Sequence, residues 1–280
     1  MLLCWVDLQM HSYIEETFQS MGSTASHYDD FFGPLYFEPF ALAIGKRIEQ
    51  LKVANVLELA SGTGRVTRHI RENIPASAKL IASDIDREML AIAREKLGHN
   101  DIEWQHIDAQ RISSNENSFD LVVCCFGYMF VADKQKAFAE AYRVLKPGGR
   151  LLFTTWDKLS KNRASYVSLS IATEYLHGPL PESYHTPTSM SEEPGLRALL
   201  TDAGFKDLSI EKLSIHSEVS SAKEAAEGFI MGGGVYDEIK RNNPAVMNEI
   251  QIRLEEEFAE QFGASPMIVP VSAVIAEGRK

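Results

Sequence analysis

Glu58, Gly62, Gly64 and Asp84 are the residues of this chain whose types and spacing point to chemistry. Val56-Leu-Glu-Leu-Ala-Ser-Gly-Thr-Gly64 is an apolar run entering a glycine turn, with Glu58 four residues before the first glycine. Such a run suits a parallel strand buried on both faces, and the glycines let a ligand approach the backbone at its C-terminal end. A dinucleotide turn of the form G-x-G-x-x-G needs a third glycine where this chain has Thr67, and no Lys-Ser/Thr pair follows to make a P-loop. A pyrophosphate or triphosphate would be repelled by Glu58, whereas a ligand carrying an ammonium and a sulfonium would be attracted. The turn therefore favours a cationic nucleoside. Asp84 closes the run Lys79-Leu-Ile-Ala-Ser-Asp84, 20 residues beyond Gly64, where a carboxylate can accept hydrogen bonds from both hydroxyls of a ribose.

The elements that must hold these residues repeat a single pattern. Ile102 to Ile107 reads as a third strand, ending in Asp108-Ala109, and Phe119 to Cys125 as a fourth, ending in Phe126-Gly127. Residues 65 to 73, Arg87 to Leu97 and Asp133 to Leu145 carry helical spacing, and Lys146-Pro-Gly-Gly149 stops the last of these before a fifth strand, Arg150 to Trp156. Alternating strands and helices imply right-handed crossovers and a parallel sheet.

With these motifs in order, the sequence resembles the class I S-adenosylmethionine-dependent methyltransferases, in particular the branch of ubiquinone and menaquinone biosynthesis methyltransferases. Leu57 to Gly64 looks like the first motif of that family, Ser83 to Leu90 the second and Ile107 to Ala109 the adenine-contact segment. Ser118 to Phe126 looks like the fourth, and Arg143 to Arg150 the turn before strand five. The resemblance covers residues 28 to 158. It implies an α/β fold: a doubly wound, mostly parallel seven-stranded sheet with helical cap insertions. It also implies a donor, S-adenosyl-L-methionine, released as S-adenosyl-L-homocysteine, with no metal required. Residue by residue, it gives Asp84 the ribose diol, Asp108 the adenine amino group and Ala109 a backbone contact. Ile85 and Met89 would sandwich the adenine. Glu58 would supply the field near the donor ammonium, and the carbonyls of Ala60 and Cys125 would receive that ammonium. Ser61, Gly62, Thr63 and Gly64 form the cradle, and Phe126 and Tyr28 complete the candidate donor site.

Composition narrows the class further. The 280-residue chain is 45% hydrophobic and 24% charged, ordinary for a soluble globular protein, and is long enough for a core domain with a cap. Its formal net charge of -11 argues against nucleic-acid binding, which needs clustered Lys and Arg. Three cysteines, two of them adjacent as Cys124-Cys125, give neither a disulfide framework nor a zinc spacing, and fit a reducing cytoplasm. The apolar start Met1 to Val6 is cut short by Asp7 and has no basic leader, so it fails as a signal peptide, and no later stretch reads as a membrane span. Met21 to Ser26 matches an acylation pattern only for translation from Met21, and reads as chance.

The sequence divides into an N-terminal extension (1 to 27), a cofactor-binding core with a lid helix (28 to 156), a cap insertion (157 to 190) and the rest of the sheet (191 to 280), with a helical insertion at 221 to 263. Within the last part, Ser191 to Ala203 reads as a helix capped by Ser191, Asp207 to His216 as a sixth strand and Met267 to Ala276 as the last. Val246, Ile250, Leu254, Phe258 and Phe262 form a helical stripe, and Gly232-Gly-Gly234 a helix break. The aromatic segment Tyr28 to Phe40 reads both as a packing helix and as a lid. The acceptor is expected to be a small, largely apolar molecule. Candidates for deprotonating it are Tyr28, Tyr128, Trp156, His177, His185 and His27, none with a diagnostic partner. Two rival readings are a non-catalytic donor-binding module and a nicotinamide-dinucleotide oxidoreductase.

Overall fold

The computed structural model describes residues 28–98, 101–176, 178–180, 182–232 and 234–280. His27, His177 and the acylation-like stretch lie outside them. By internal contacts the chain forms two units: Tyr36–Tyr166, Leu180–Ser217 and Val269–Lys280 in one, and the segment ending at Leu35 with Val167–Pro179 and Glu218–Ile268 in the other.

A seven-stranded sheet organises the first unit. Its strands are β1 (Asn55–Leu59), β2 (Lys79–Asp84), β3 (Glu103–His106), β4 (Phe119–Cys125), β5 (Leu145–Trp156), β6 (Lys206–Val219) and β7 (Met267–Arg279). The order across the sheet is β3-β2-β1-β4-β5-β7-β6. β1 pairs in parallel with β2 and β4, β2 with β3 and β4 with β5, whereas β7 runs antiparallel to β5. β1 and β4 are sealed almost throughout, as expected of central parallel strands rich in Val and Leu. Helices α1 (Glu38–Ile48), α2 (Arg65–Asn73), α3 (Arg87–Leu97), α4 (Lys134–Val144), α5 (Arg163–Tyr175) and α6 (Glu193–Asp202) follow in chain order.

Two local readings are corrected. Lys146-Pro-Gly-Gly149 ends α4 but already belongs to β5, whose register with β4 shifts between Phe119 and Leu121. The Asp120 carboxylate holds that irregular end, accepting from Lys146 Nζ at 2.7 Å and from the Asn55 and Ala54 amides at 2.8 and 3.0 Å. Ser191 does not cap α6: Glu192 occupies the N-cap without a side-chain bond, and Pro194 alone carries the start signal. The stretch after Trp156, read as a cap insertion, holds the 13-residue α5.

The second unit is helical: it holds most of α5 together with α7 (Ala222–Gly232), α8 (Gly234–Asn242) and α9 (Met247–Phe262). The α9 stripe buries Ile250, Leu254 and Phe258, whereas Val246 sits in the preceding short turn. Phe229 packs on Phe258 at 5.3 Å and edge-on against Phe32 at 5.1 Å. Gly228 is required by contact rather than by conformation, since a Cβ there would lie 2.6 Å from Phe31 Cβ. The Tyr236 hydroxyl donates to the Ser168 carbonyl at 2.9 Å. No helix among the described residues is long and apolar enough to cross a membrane.

Candidate functional site

β1 enters the glycine turn through two left-handed residues, Ala60 (φ 55°) and Gly62 (φ 54°), and Gly64 (φ 85°) caps α2. Alanine resists that conformation, so the turn is held by hydrogen bonds from outside it. The Ser61 amide donates to the Ser83 carbonyl at 2.9 Å, the Ser83 hydroxyl to the Glu58 carbonyl at 2.7 Å, and the Gly62 amide to Asp84 Oδ2 at 2.7 Å. Gly64 cannot carry a side chain, because a Cβ would meet Leu97 Cδ1 at 2.9 Å and Ala93 Cβ at 3.2 Å on α3. Gly62 is the opposite case: no heavy atom lies within 4 Å of where its Cβ would be. The turn is therefore closed on its helix side and open at Gly62.

Asp84, at the tip of β2, is 8% exposed. Its Oδ1 accepts from the Asp86 amide at 2.9 Å and its Oδ2 from Gly62, which leaves lone pairs on both oxygens. Burial raises its pKa above the ordinary carboxylate value, against the pull of these amides. Asp86 caps α3, accepting from the Glu88 and Met89 amides at 2.7 and 3.2 Å, so Met89 is buried at 6% exposure while Ile85 stands out at 43%. The Ile107 amide reaches the Asp84 carbonyl at 3.1 Å, and Asp108 Oδ1 is taken by the amide of Gln110 at 2.8 Å. Thr63 is at the edge of burial.

Glu58 is 1% exposed and its Oε2 has no hydrogen-bond partner among the described residues. Burial pushes its pKa up to about 8, with Thr67 offsetting this in part and the Asp84 charge adding to it. Cys125 lies on the same sheet face, and burial together with the charge of Glu58 pushes its thiol up. The Ser61 hydroxyl is buried without a partner among the described residues.

At the tips of β4 and β5 the side chains change to aromatic ones. Phe126 takes φ 57°, held by its amide on the Thr154 carbonyl at 3.0 Å, and its ring stacks on Trp156 at 3.9 Å and 20°. Phe37 and Phe40 meet Phe126 at 5.4 and 5.7 Å, and Tyr36 meets Trp156 at 5.5 Å. Gly127 packs so closely on the glycine turn that a Cβ would fall 2.4 Å from Ala60 Cβ. Sequence reasoning misses both this packing and the aromatic wall. It places Phe126 with the donor and Trp156 with proton transfer, and only the aromatic density of residues 28 to 40 hints at the wall. It also misses the Glu38 cluster, in which Oε1 meets His69 Nε2 at 2.8 Å and Oε2 accepts from Arg65 at 2.9 Å.

The candidate bases fare unevenly. Tyr128 is fully buried between Phe138 and Phe153. His185 lies in the short turn Glu182–Thr188. Tyr28 begins the helical segment Tyr28–Phe37 and belongs by contacts to the helical unit. The described residues contain no group of three or more His, Cys, Asp or Glu suited to a metal.

Residues 56–149 match the family described as "Methyltransferase domain". Over 175 residues, 57% of this chain and 69% of the relative, the sequence is 35% identical to the ubiquinone/menaquinone biosynthesis C-methyltransferase of Pseudoalteromonas translucida. The Escherichia coli protein of the same name is 34% identical over 176 residues, again 57% and 69% of the two chains. The chain belongs to the S-adenosylmethionine-dependent methyltransferase family. Solved structures agree on the fold. The Haemonchus contortus phosphoethanolamine N-methyltransferase 2, in complex with phosphomonomethylethanolamine and S-adenosylhomocysteine, superposes with a TM-score of 0.60 at 19% identity, over 95% of this chain and 59% of that one. The YcgJ protein of Bacillus subtilis does so at 0.55 and 17%, over 86% and 98%. The cofactor is S-adenosyl-L-methionine and the product S-adenosyl-L-homocysteine. The site is compatible with that group on its own terms, through the open Gly62, the free lone pairs of Asp84 and the orphaned Glu58 oxygen.

Proposed function

We propose that this enzyme methylates a small, largely apolar acceptor, and that the donor is held by the tips of β1, β2 and β4. The observation that carries the reading is a convergence: the open face of Gly62, both oxygens of Asp84 and Glu58 Oε2, unpartnered among the described residues, occur at the same edge of adjacent strands. Open doubly wound sheets bind ligands outside that edge. When bound, the donor supplies a methyl group on a sulfonium with a neutral thioether as leaving group, so the protein's work is alignment and exclusion of water.

In this reading Asp84 accepts the two ribose hydroxyls, its own position fixed by the Gly62 and Asp86 amides. Asp108 and Ala109 meet the adenine edge, Ile85 covers the ring from its exposed position and Met89 supports it from below. Ser61, Thr63 and Gly64 shape the turn. Glu58 and the carbonyls of Ala60 and Cys125 receive the ammonium. The stacked Phe126 and Trp156, with Tyr36, Phe37 and Phe40, offer an apolar aromatic wall at the neighbouring strand tips, which favours an acceptor with a ring or an alkyl body. Carbon methylation, which the relatives' name describes, is the first case to test.

Acceptor choice we assign to the helical unit, with Tyr28 and the aromatic segment it begins. What supports this is elimination: the donor motifs already take up the tips of β1, β2 and β4, so the residues that choose the acceptor come from outside them. The net charge of -11 supports a small-molecule acceptor over nucleic acid, and the reduced cysteine pair supports the cytoplasm. The test is transfer of label from methyl-labelled S-adenosylmethionine to a panel of phenols, quinols and amines. Label appearing in a ring product supports the proposal. Binding of S-adenosylhomocysteine with no transfer to any member favours a non-catalytic binding module.

A further inference from the structure

An ionised carboxylate sealed inside a sheet without a cation is costly, and a buried acid in that position takes up a proton instead. Glu58 meets these conditions geometrically. It is 1% exposed, its Oε2 is unpartnered among the described residues, and it stands in β1, an interior strand of the sheet whose residues 56 to 59 are all buried. The groups that act on it are the Thr67 hydroxyl from α2, the Asp84 carboxyl from β2 and the Cys125 thiol from β4. None is a cation, and Asp84 makes ionisation harder.

We propose that Glu58 is a neutral carboxylic acid in the ligand-free protein and gives up its proton when the cationic donor seats at the β1 tip, so that donor binding and proton release are one event. The inference rests on the proposed placement of the donor ammonium. In the step the Glu58 O–H bond breaks, the proton passes to buffer, and the carboxylate left behind pairs with the ammonium. No bond to the donor forms. The empty protein holds the proton up to about pH 8, through burial first and the Asp84 charge in addition, while the bound cation draws ionisation back toward the ordinary carboxylate range.

By linkage, affinity then rises with pH, by up to about tenfold per pH unit between that range and pH 8. Above about pH 8 the donor's own α-amino group loses its charge. The affinity profile is a bell with its maximum near pH 8. In Glu58→Gln the rising limb disappears and only the fall remains.

The test is calorimetric titration of the full chain with S-adenosylhomocysteine at pH 7, in phosphate and in Tris, whose different ionisation heats count the protons exchanged. The parent is expected to release close to one proton per ligand bound, and Glu58→Gln close to none. Binding without release from the parent, or equal release from Glu58→Gln, overturns the inference while leaving the donor site standing. Absence of any binding overturns both. Infrared difference spectroscopy gives a second readout independent of the variant's folding: a protonated-carboxyl carbonyl band in the ligand-free parent that disappears on adding ligand. A ligand-free parent without that band contradicts the inference.

Discussion

Replacing Asp84 by alanine tests the donor site through its most specific interaction. In the structure one oxygen accepts the Gly62 amide at 2.7 Å and the other the Asp86 amide at 2.9 Å, so the carboxylate is aimed before any ligand arrives. Each oxygen keeps a lone pair for one hydroxyl of a ribose diol. Hydrogen bonds to a charged group contribute about 1.5 to 3 kcal/mol. Without a carboxylate to accept the diol, Asp84→Ala therefore binds S-adenosylhomocysteine more weakly by roughly tenfold to 150-fold, at 1.4 kcal/mol per decade. Asp84→Asn is not a mild alternative, because its amide group would face one of the two backbone N–H donors. Isothermal calorimetry on parent and variant measures the ratio, and a cooperative unfolding transition in Asp84→Ala shows that the turn survives without its two anchors. Unchanged affinity in Asp84→Ala, or NAD binding to the parent as tightly as S-adenosylhomocysteine, would refute the reasoning.

Three further outcomes follow from packing and charge. Gly127→Ala places a methyl 2.4 Å from Ala60 Cβ and 2.9 Å from Cys124 Sγ, and should cost about 1 to 3 kcal/mol in denaturant unfolding, the usual range for overpacking. Glu58→Gln should stabilise the ligand-free protein at pH 9 by a few kcal/mol, at most about 5 from a rise of 4.5 to about 8, and change it little at pH 4. The sign follows from the folded pKa lying above the unfolded one, so that the group's contribution is intact at low pH and vanishes as pH rises from 4.5 to 8; equal effects at both pH values would contradict it. Deleting residues 221 to 263 and joining Ser220 to Ala264 should abolish turnover while leaving cofactor affinity within about tenfold. The ends are already adjacent, with the Ala222 amide on the Ala264 carbonyl at 3.0 Å and the Ser265 hydroxyl on the Ser220 carbonyl at 2.9 Å. A cooperatively folded deletion variant that methylates at the parent rate would remove the helical unit from acceptor selection.

The central sheet is readable from the chain because its signals are local. A buried parallel strand leaves an unbroken apolar run, and a turn that needs positive φ leaves a glycine, so β1, β2, β4 and the helices after them lie close to where periodicity puts them. Ala60 and Phe126 escape that logic: both take left-handed φ without being glycine, and neighbouring strands supply the carbonyls that hold them there. The meeting of Phe37, Phe40, Phe126 and Trp156 is illegible for a related reason, since residues from three separate segments become one wall only after the strands align. α6 shows how a plausible cap fails, because Ser191 satisfies the residue preference but stands one position too early. The state of Glu58 is half legible. Its position is visible in the sequence, but the burial that favours the neutral form comes from the assembled sheet, with the Asp84 charge from β2 adding to it and the Thr67 hydroxyl from α2 opposing it.

A crystal structure of the full chain with S-adenosylhomocysteine tests the central claim most directly. The account predicts the ribose hydroxyls on the Asp84 carboxylate, the adenine beside Ile85 and Asp108, and the amino-acid portion over Gly62 with its ammonium toward the end of β1. Density for the ligand elsewhere on the chain, or in this cleft with Asp84 and Gly62 untouched, would contradict it.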